Sequence, residues 1–188
     1  NSAFFDGGFI AWGGNNTYVN KLGVREQRPE RMQIYFDSEA CFNLAFDNRF
    51  ERLKSHIYSL NGKITRCDIA LDFHNGEVTL DHVQWAYEQG KFTKTMKPKA
   101  TRICDLDKQE NGDTLYIGNR KNGKLLRAYE KGKQLGSFDS QWVRLEVELL
   151  STDRELNPEM LTNHAAAFAQ SYPYLTELCN AFTVSTGD

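Results

Sequence analysis

Eight consecutive residues alternate between apolar side chains and charged or small ones: Arg66-Cys67-Asp68-Ile69-Ala70-Leu71-Asp72-Phe73. This period of two is typical of a β-strand, in which successive side chains point to opposite faces of the sheet. Asp68 and Asp72 therefore share one face. Because two carboxylates on one face repel each other unless a positive group lies between them, the pattern indicates either a divalent-cation site or a polar strand face turned to solvent.

The composition excludes several classes of protein. With 188 residues, of which 40% are hydrophobic and 26% charged, the chain can bury one sizeable core. It has no apolar run long enough to span a bilayer and no signal-peptide pattern, so we expect a soluble, cytoplasmic protein with no membrane partner. The four cysteines lack the spacing of a zinc site or a disulfide framework. We expect residues 1–188 to be a single domain and a fragment of a longer protein.

Periodic segments elsewhere favour an α+β fold. Strands are predicted over 4–12, 17–22, 31–36, 63–73, 101–106, 114–118, 124–130 and 141–150. The first two are expected to form a hairpin through a glycine and asparagine turn at 13–16. Helices are predicted over 38–58, 79–90, 157–169 and 175–182. Most connections have hairpin length, so we expect a large, mostly antiparallel β-sheet with helices packed on one side. The order of the elements is also compatible with two related half-domains.

Positive charge is concentrated in one segment, although the net charge is −2. Between residues 119 and 133 a single acidic residue, Glu130, accompanies six cationic ones: Arg120, Lys121, Lys124, Arg127, Lys131 and Lys133. Clustered cations of this kind hold phosphate backbones whatever the overall pI. The alternative is a solvated hairpin whose lysines protect an edge strand from aggregation.

Three predicted strands each carry unusual polar side chains on one face. They are Asp68 and Asp72 in the first strand, Arg127 and Tyr129 in the second, and Arg144, Glu146 and Glu148 in the third. Carboxylates from several strands suit Mg²⁺ or Mn²⁺, and a tyrosine beside such an ion and an arginine can lose its proton below its usual pKa of about 10 and attack phosphorus. Two alternatives stay open: Tyr129 can simply point into water, and Tyr116 can be the attacking group.

Four motifs in order along the chain resemble those of the Rep_trans replication initiation proteins, a family that includes rolling-circle initiators of plasmids and filamentous phages. The motifs cover 66–73, 114–121, 126–133 and 142–149, and the segment 8–15 resembles the phage branch in particular. The resemblance implies a metal-dependent nick at a replication origin by a tyrosine, which leaves a 5′-phosphotyrosyl link and a free 3′-hydroxyl. It places the nucleophile on Tyr129.

The resemblance places the acidic motifs on Asp68, Asp72, Glu146 and Glu148, and the chemistry of the arginines and lysines predicts their roles in stabilising charge and binding DNA. Grouped by role, the expected residues are the catalytic Tyr129, Arg127 and Arg144; the ligands of Mg²⁺ or Mn²⁺, Asp68, Asp72, Glu146 and Glu148; and the DNA-binding Arg120, Lys121, Lys124, Lys131 and Lys133. The expected partners are origin DNA, single-stranded or cruciform, and a host helicase. The chain has no His-x-His pair, which argues against a histidine-held ion.

Two other functions remain open from the residues alone. One is a hydrolytic metal nuclease in which the carboxylates activate water and Tyr129 only packs. The other is a binding module without catalysis, in which exposed tyrosines stack on single-stranded bases. His74 departs from the plasmid initiators, and it is either an additional ligand or phosphate donor, or a turn histidine bonded to the backbone.

Overall fold

The computed structural model describes residues 2–5, 7–12, 17–19, 22–27, 31–104, 112–152 and 154–185. Its internal contacts divide the chain into two compact units, Asn1–Leu53 and Lys54–Asp188. Every residue that the sequence assigns to catalysis, metal binding or DNA binding belongs to the second unit.

The first unit contains two small antiparallel sheets. Strands β1 (Ser2–Phe5), β2 (Gly8–Trp12) and β5 (Met32–Phe36) form one sheet in the order β1-β2-β5, and β3 (Thr17–Val19) pairs with β4 (Arg25–Gln27). The predicted strand 4–12 is therefore wrong, because it is two strands joined at Gly7, whose φ of +80° suits a glycine turn. The predicted pairing of 4–12 with 17–22 is also wrong, because β2 pairs with β5 and β3 pairs with β4. Residues 13–16, the expected turn of that hairpin, lie outside the described residues.

The predicted helix over 38–58 is two helices, α1 (Ser38–Phe46) and α2 (Phe50–Ser59). Asp37 caps α1 by accepting hydrogen bonds from the N–H groups of Glu39 and Ala40. The break follows at Asn48, which has a φ of +54°. Asparagine tolerates this left-handed conformation better than most residues, and the regular apolar spacing hid the break.

The second unit is built on a five-stranded antiparallel sheet, as the sequence predicts. Its strands are β6 (Arg66–Phe73), β7 (Ala100–Ile103), β8 (Thr114–Asn119), β9 (Lys124–Glu130) and β10 (Val143–Leu150), in the order β6-β10-β9-β8-β7. The last strand in the chain, β10, thus lies between β6 and β9. This order brings the two acidic strands together and places the strand that carries Tyr129 beside them.

Helices pack on one face of this sheet, which confirms the α+β prediction. Helices α3 (Leu80–Glu88), α5 (His164–Ala169) and α6 (Pro173–Ser185) surround a core to which β10 contributes Leu145 and Val147. Thr79 caps α3 by accepting a hydrogen bond from the N–H of His82. The predicted helix over 157–169 is instead a 3₁₀ turn, Pro158–Leu161, followed by α5.

Short elements complete the second unit. Residues 120–122 form a 3₁₀ turn between β8 and β9, and α4 (Lys131–Gln134) follows β9 directly. No helix in the described part of the chain has both the length and the apolar character that crossing a membrane requires.

Candidate active site

The sheet face opposite the helices carries the polar side chains, and we call it the polar face. Directly opposite residues of antiparallel strands point to the same side, so the strand register arranges these side chains in rows across the sheet. Written from β6 towards β8, the rows are Asp72, Arg144, Tyr129 and Thr114; then Ala70, Glu146, Arg127 and Tyr116; then Asp68, Glu148, Leu125 and Gly118. All seven predicted catalytic and metal-binding residues therefore lie on one face.

Tyr129 and Glu146 are hydrogen-bonded at the centre of the polar face. The Tyr129 hydroxyl donates to Glu146 Oε2 at 3.0 Å. Partial burial and the Glu146 carboxylate raise the pKa of Tyr129 above its ordinary value of about 10, and the nearby Arg144 only partly opposes them. This contradicts the expectation from the sequence, which was a Tyr129 pKa below its ordinary value. In this arrangement the phenol keeps its proton at neutral pH and shares it with a carboxylate.

Arg127 joins two of the carboxylates. Its Nη2 donates to Glu146 Oε1 and lies 3.8 Å from Asp68 Oδ2. Its Nε is buried and has no hydrogen-bond acceptor among the described residues. A buried donor without an acceptor is costly, and such atoms often mark the place of a ligand or water. Arg127 therefore has one hydrogen-bond donor available for a further group.

Asp72 is held by a different set of donors. Arg144 donates to both of its oxygens at 2.7 Å, and Trp142 Nε1 donates to Oδ1 at 2.6 Å. Burial alone would raise the pKa of Asp72, but these hydrogen bonds outweigh it and lower that pKa. The His74 ring packs against the Trp142 ring with the centroids 4.5 Å apart. Asp72 thus orients Arg144 on the sheet beside Tyr129.

Glu148 is the most deeply buried of the acidic groups, with only 1% of its side chain exposed. Arg120 Nε donates to its Oε1 at 2.7 Å, and Arg66 Nη2 lies 3.2 Å from its Oε2. The Arg66 guanidinium also donates to both oxygens of Asp68, at 2.8 and 2.6 Å. Arg66 and Trp142 were missed as site residues, although each lies two positions before a predicted one and so on the same strand face.

The carboxylates suit a divalent cation in donor type, but arginine side chains bind them here. Within the described ranges, no three His, Cys, Asp or Glu side chains come close enough together to hold a metal ion. The best match to a cation is the pair Asp68 and Glu148, which are directly opposite each other. Glu148 Oε2 is buried and accepts no hydrogen bond from a described residue. A hard cation at this pair would require Arg66 to move.

The predicted DNA-binding cations lie in three environments. Arg120 and Lys121 are at the β8–β9 turn, whereas Lys131 and Lys133 are in α4 at the far end of β9, about 20 Å away for a strand of this length. They do not form one cluster at a hairpin tip. Lys124 lies on the helical side of the sheet, where its Nζ donates to the Ser171 carbonyl and sits 3.9 Å from the centroid of a tyrosine ring.

Lys131 lies near the Tyr129 ring, and its Nζ donates a hydrogen bond to Gln134 Oε1 at 3.0 Å. Its Nζ is 5.8 Å from the centroid of the Tyr129 ring. Lys133 forms an ion pair with Glu130 at 2.8 Å. Lys121 is exposed, and only its backbone N–H takes part in the turn, donating to Asn119 Oδ1 at 2.9 Å. The side chains of Lys121 and Lys131 are therefore the best placed of the predicted set to meet phosphates.

Comparisons with known proteins identify the family of this chain and a similar fold. Residues 62–187 match the Rep_trans family model, whose description is replication initiation factor. The fold is similar to the solved structure of a rolling circle replication initiator protein from Geobacillus stearothermophilus, with a TM-score of 0.59 and 19% sequence identity. That likeness covers 89% of this chain but only 63% of the other, so this chain spans less than two thirds of its structural relative. No curated protein matches the sequence.

Proposed function

The chain belongs to the Rep_trans family of replication initiation factors, and from this premise we propose that it initiates rolling-circle replication by nicking origin DNA with Tyr129. The observation that carries the proposal is the hydrogen bond from the Tyr129 hydroxyl to Glu146 on a face that also presents two arginines. A nucleophile, a base and charge-stabilising groups within reach of one another are the minimum set for phosphoryl transfer.

We assign the nucleophile to Tyr129 and the general base to Glu146. The phenol oxygen attacks phosphorus while its proton passes to Glu146 Oε2, 3.0 Å away. The bond from phosphorus to the 3′-oxygen breaks, and that oxygen is protonated by solvent. The products are a 5′-phosphotyrosyl link and a 3′-hydroxyl. Tyr116, the competing nucleophile in the sequence, faces Arg127 and has no carboxylate as a hydrogen-bond partner among the described residues.

We assign stabilisation of the developing phosphate charge to Arg127 and Arg144. Arg127 Nε is buried and has no acceptor among the described residues, so a phosphate oxygen bound against this guanidinium would supply the missing acceptor. Arg144 is directly opposite Tyr129 and is oriented by its two hydrogen bonds to Asp72. Cationic donors that are already oriented before the reaction stabilise a transition state at little reorganisation cost.

We further propose that Mg²⁺ or Mn²⁺ binds the carboxylates Asp68, Asp72, Glu146 and Glu148. When bound, such an ion polarises a phosphate oxygen and helps the leaving oxygen depart. Asp68 and Glu148 are the favoured first ligands because they face each other and Glu148 Oε2 lacks a hydrogen bond. Asp72 is the least favoured because three donors from Arg144 and Trp142 already bind its two oxygens. The oxygens of Asp68 accept hydrogen bonds from Arg66, which also lies 3.2 Å from Glu148 Oε2, so movement of Arg66 would free both favoured ligands.

The proposed partner is origin DNA, single-stranded or cruciform, with a host helicase acting downstream. Lys121 and Lys131 carry the proposed backbone contacts, because neither pairs with a carboxylate of the described residues; Lys131 Nζ donates only to the neutral Gln134 side chain. Arg120 and Lys133 contribute more weakly because each pairs with a carboxylate, and Lys124 because it lies on the helical side of the sheet. That residues 1–188 form one nicking–joining domain remains a prediction.

The decisive experiment is to incubate the protein with Mn²⁺ and a single-stranded oligonucleotide carrying the origin of its replicon. The wild type should form an adduct that survives denaturation and has the mass of the protein plus the 5′-phosphorylated fragment. Tyr129→Phe should form none, and the matched variant Tyr116→Phe should form it normally. An adduct with Tyr129→Phe would reassign the nucleophile, and cleavage without any adduct would favour the hydrolytic nuclease.

A further inference from the structure

The polar face extends beyond the proposed active site to the outer strands β8 and β7. Tyr116 on β8 lies between Arg127 on β9 and Thr101 on β7. Its half-buried side chain has no hydrogen-bond or ring partner among the described residues, although Arg120 lies near enough to interact with it electrostatically. Tyr116 thus presents an aromatic ring next to the buried donor Arg127 Nε.

A second cationic segment, residues 90–104, includes β7 at this edge of the sheet. Residues 90–104 contain no acidic residue and five cationic ones: Lys91, Lys94, Lys97, Lys99 and Arg102. Two of them are neutralised internally. Lys91 pairs with Glu177 at 2.7 Å, and Arg102 pairs with carboxylates at 2.6 and 2.8 Å.

Lys99 is the member of this segment that faces the active site. The N–H of Gly118 donates to the Lys99 carbonyl at 2.8 Å, which continues the β7–β8 pairing by one residue. Strand alternation then places Lys99 on the same face as Thr101, and therefore on the same face as Tyr116. Lys99 is exposed, and no carboxylate of the described residues pairs with it.

We propose that single-stranded DNA flanking the scissile phosphate crosses the polar face from Tyr129 to β7, with a base stacked on Tyr116 and a phosphate held by Lys99. The path from Tyr129 to Lys99 covers two strand spacings across the sheet, about 10 Å, and four residues along the strands, about 13 Å, which gives about 16 Å in all. Base stacking on an aromatic side chain needs an unpaired base, which favours single-stranded over duplex DNA. Arg127 Nε contributes a further donor along this path. The inference rests on the proposed function, because it takes the scissile phosphate to lie at Tyr129.

Binding can be measured without cleavage in a Tyr129→Phe background, by fluorescence anisotropy with labelled oligodeoxythymidine and with a duplex of the same length. In that background Tyr116→Ala should weaken single-strand binding about 5- to 100-fold, and Tyr116→Phe should bind within about twofold of its parent because it keeps the ring. Lys99→Gln should lower the slope of log affinity against log salt by about 0.7. The matched control Lys91→Gln should leave that slope unchanged, because Lys91 is paired with Glu177.

The outcomes separate this inference from the proposed function. Equal binding by Tyr116→Ala and its parent, or equal losses in Tyr116→Ala and Tyr116→Phe, would overturn the stacking role. An unchanged salt slope in Lys99→Gln would overturn the phosphate contact. Because this variant changes only an exposed side chain, it tests the path even if Tyr116→Ala does not fold. Tighter binding of duplex than of single strands would overturn the choice of partner. By contrast, the absence of an adduct in the wild type would remove the nicking proposal and leave these binding results standing.

Discussion

Replacing Glu146 with glutamine tests the proposed chemistry most directly. Glutamine keeps the shape of the side chain and one acceptor oxygen but removes the negative charge that accepts the Tyr129 proton at 3.0 Å. Loss of a positioned general base lowers rates by about 10²- to 10⁴-fold, which corresponds to about 3–5 kcal/mol of activation free energy. We therefore expect adduct formation by Glu146→Gln to slow by that factor.

The same substitution should also make the phenol more acidic, which by itself would favour a faster reaction. Because the Glu146 carboxylate raises the pKa of Tyr129, its removal should lower that pKa. If the acidity of the phenol alone governed the reaction, Glu146→Gln would then react faster than the wild type. The base assignment predicts slower reaction despite a more acidic phenol. Because Glu146 is also a proposed metal ligand, the rates are compared at saturating Mn²⁺: a loss that excess ion restores belongs to metal binding, and a loss that persists belongs to the base.

The assay is a single-turnover measurement of adduct formation over a range of pH, with folding checked by thermal melting. Glu146→Gln also removes the charged partner of Arg127, but Asp68 Oδ2 is 3.8 Å from that guanidinium and partly replaces it. We expect a loss of about 1 kcal/mol, or about 3 °C in Tm for a chain of this length. The control Glu177→Gln makes the same charge change at an exposed surface pair. Reaction of Glu146→Gln at or above the wild-type rate would refute the assignment.

Three further predictions concern stability and binding. Asp72→Asn should lower the free energy of unfolding by about 2 kcal/mol at neutral pH, because it leaves Arg144 without its carboxylate. The pKa of Asp72 is lowered in the folded state, so this stabilisation is lost as the pH falls from about 4 through that lower pKa. In urea unfolding, the difference between wild type and variant should therefore shrink over that range of pH. Lys121→Gln should reduce the salt slope of DNA binding by about one phosphate contact, and an unchanged slope would remove this residue from the interface. Gly118→Ala should destabilise the protein by more than about 2 kcal/mol in thermal melts, because its φ is +102° and a Cβ would lie 2.5 and 2.6 Å from two oxygens. The control Gly136→Ala has a φ of +84° but open space around the Cβ, and it should lose only about 1 kcal/mol. Equal losses in the two variants would contradict the steric argument.

Strand alternation allowed much of the candidate site to be predicted. It placed Asp68 with Asp72, and Glu146 with Glu148, on one face of each strand, and the register confirms both pairs. By the same rule Lys124 points away from Tyr129, because the two positions differ by five and an odd difference places side chains on opposite faces of a strand.

Local chemistry explains the errors in the helices and in the first sheet. The apolar spacing of residues 38–58 suits one helix, and the backbone turns at Asn48 without disturbing that spacing. In the first strand, Gly7 closes a hairpin inside a run that looked continuous. Both errors come from single residues whose backbone conformation is unusual, which hydrophobic periodicity does not report.

The amino-acid sequence alone determined which side chains share a strand face, because the two-residue period of an extended chain is a local property. Only the tertiary structure decided that β10 lies between β6 and β9, since strand order depends on how the whole chain packs. That order placed Tyr129 against Glu146 and brought Asp72, Glu146 and Glu148 each to an arginine of another segment, whereas the pair of Asp68 with Arg66 lies within β6. Burial of Tyr129 and its contact with the Glu146 carboxylate reverse the expected shift in the pKa of Tyr129, because both favour the protonated phenol over the phenolate.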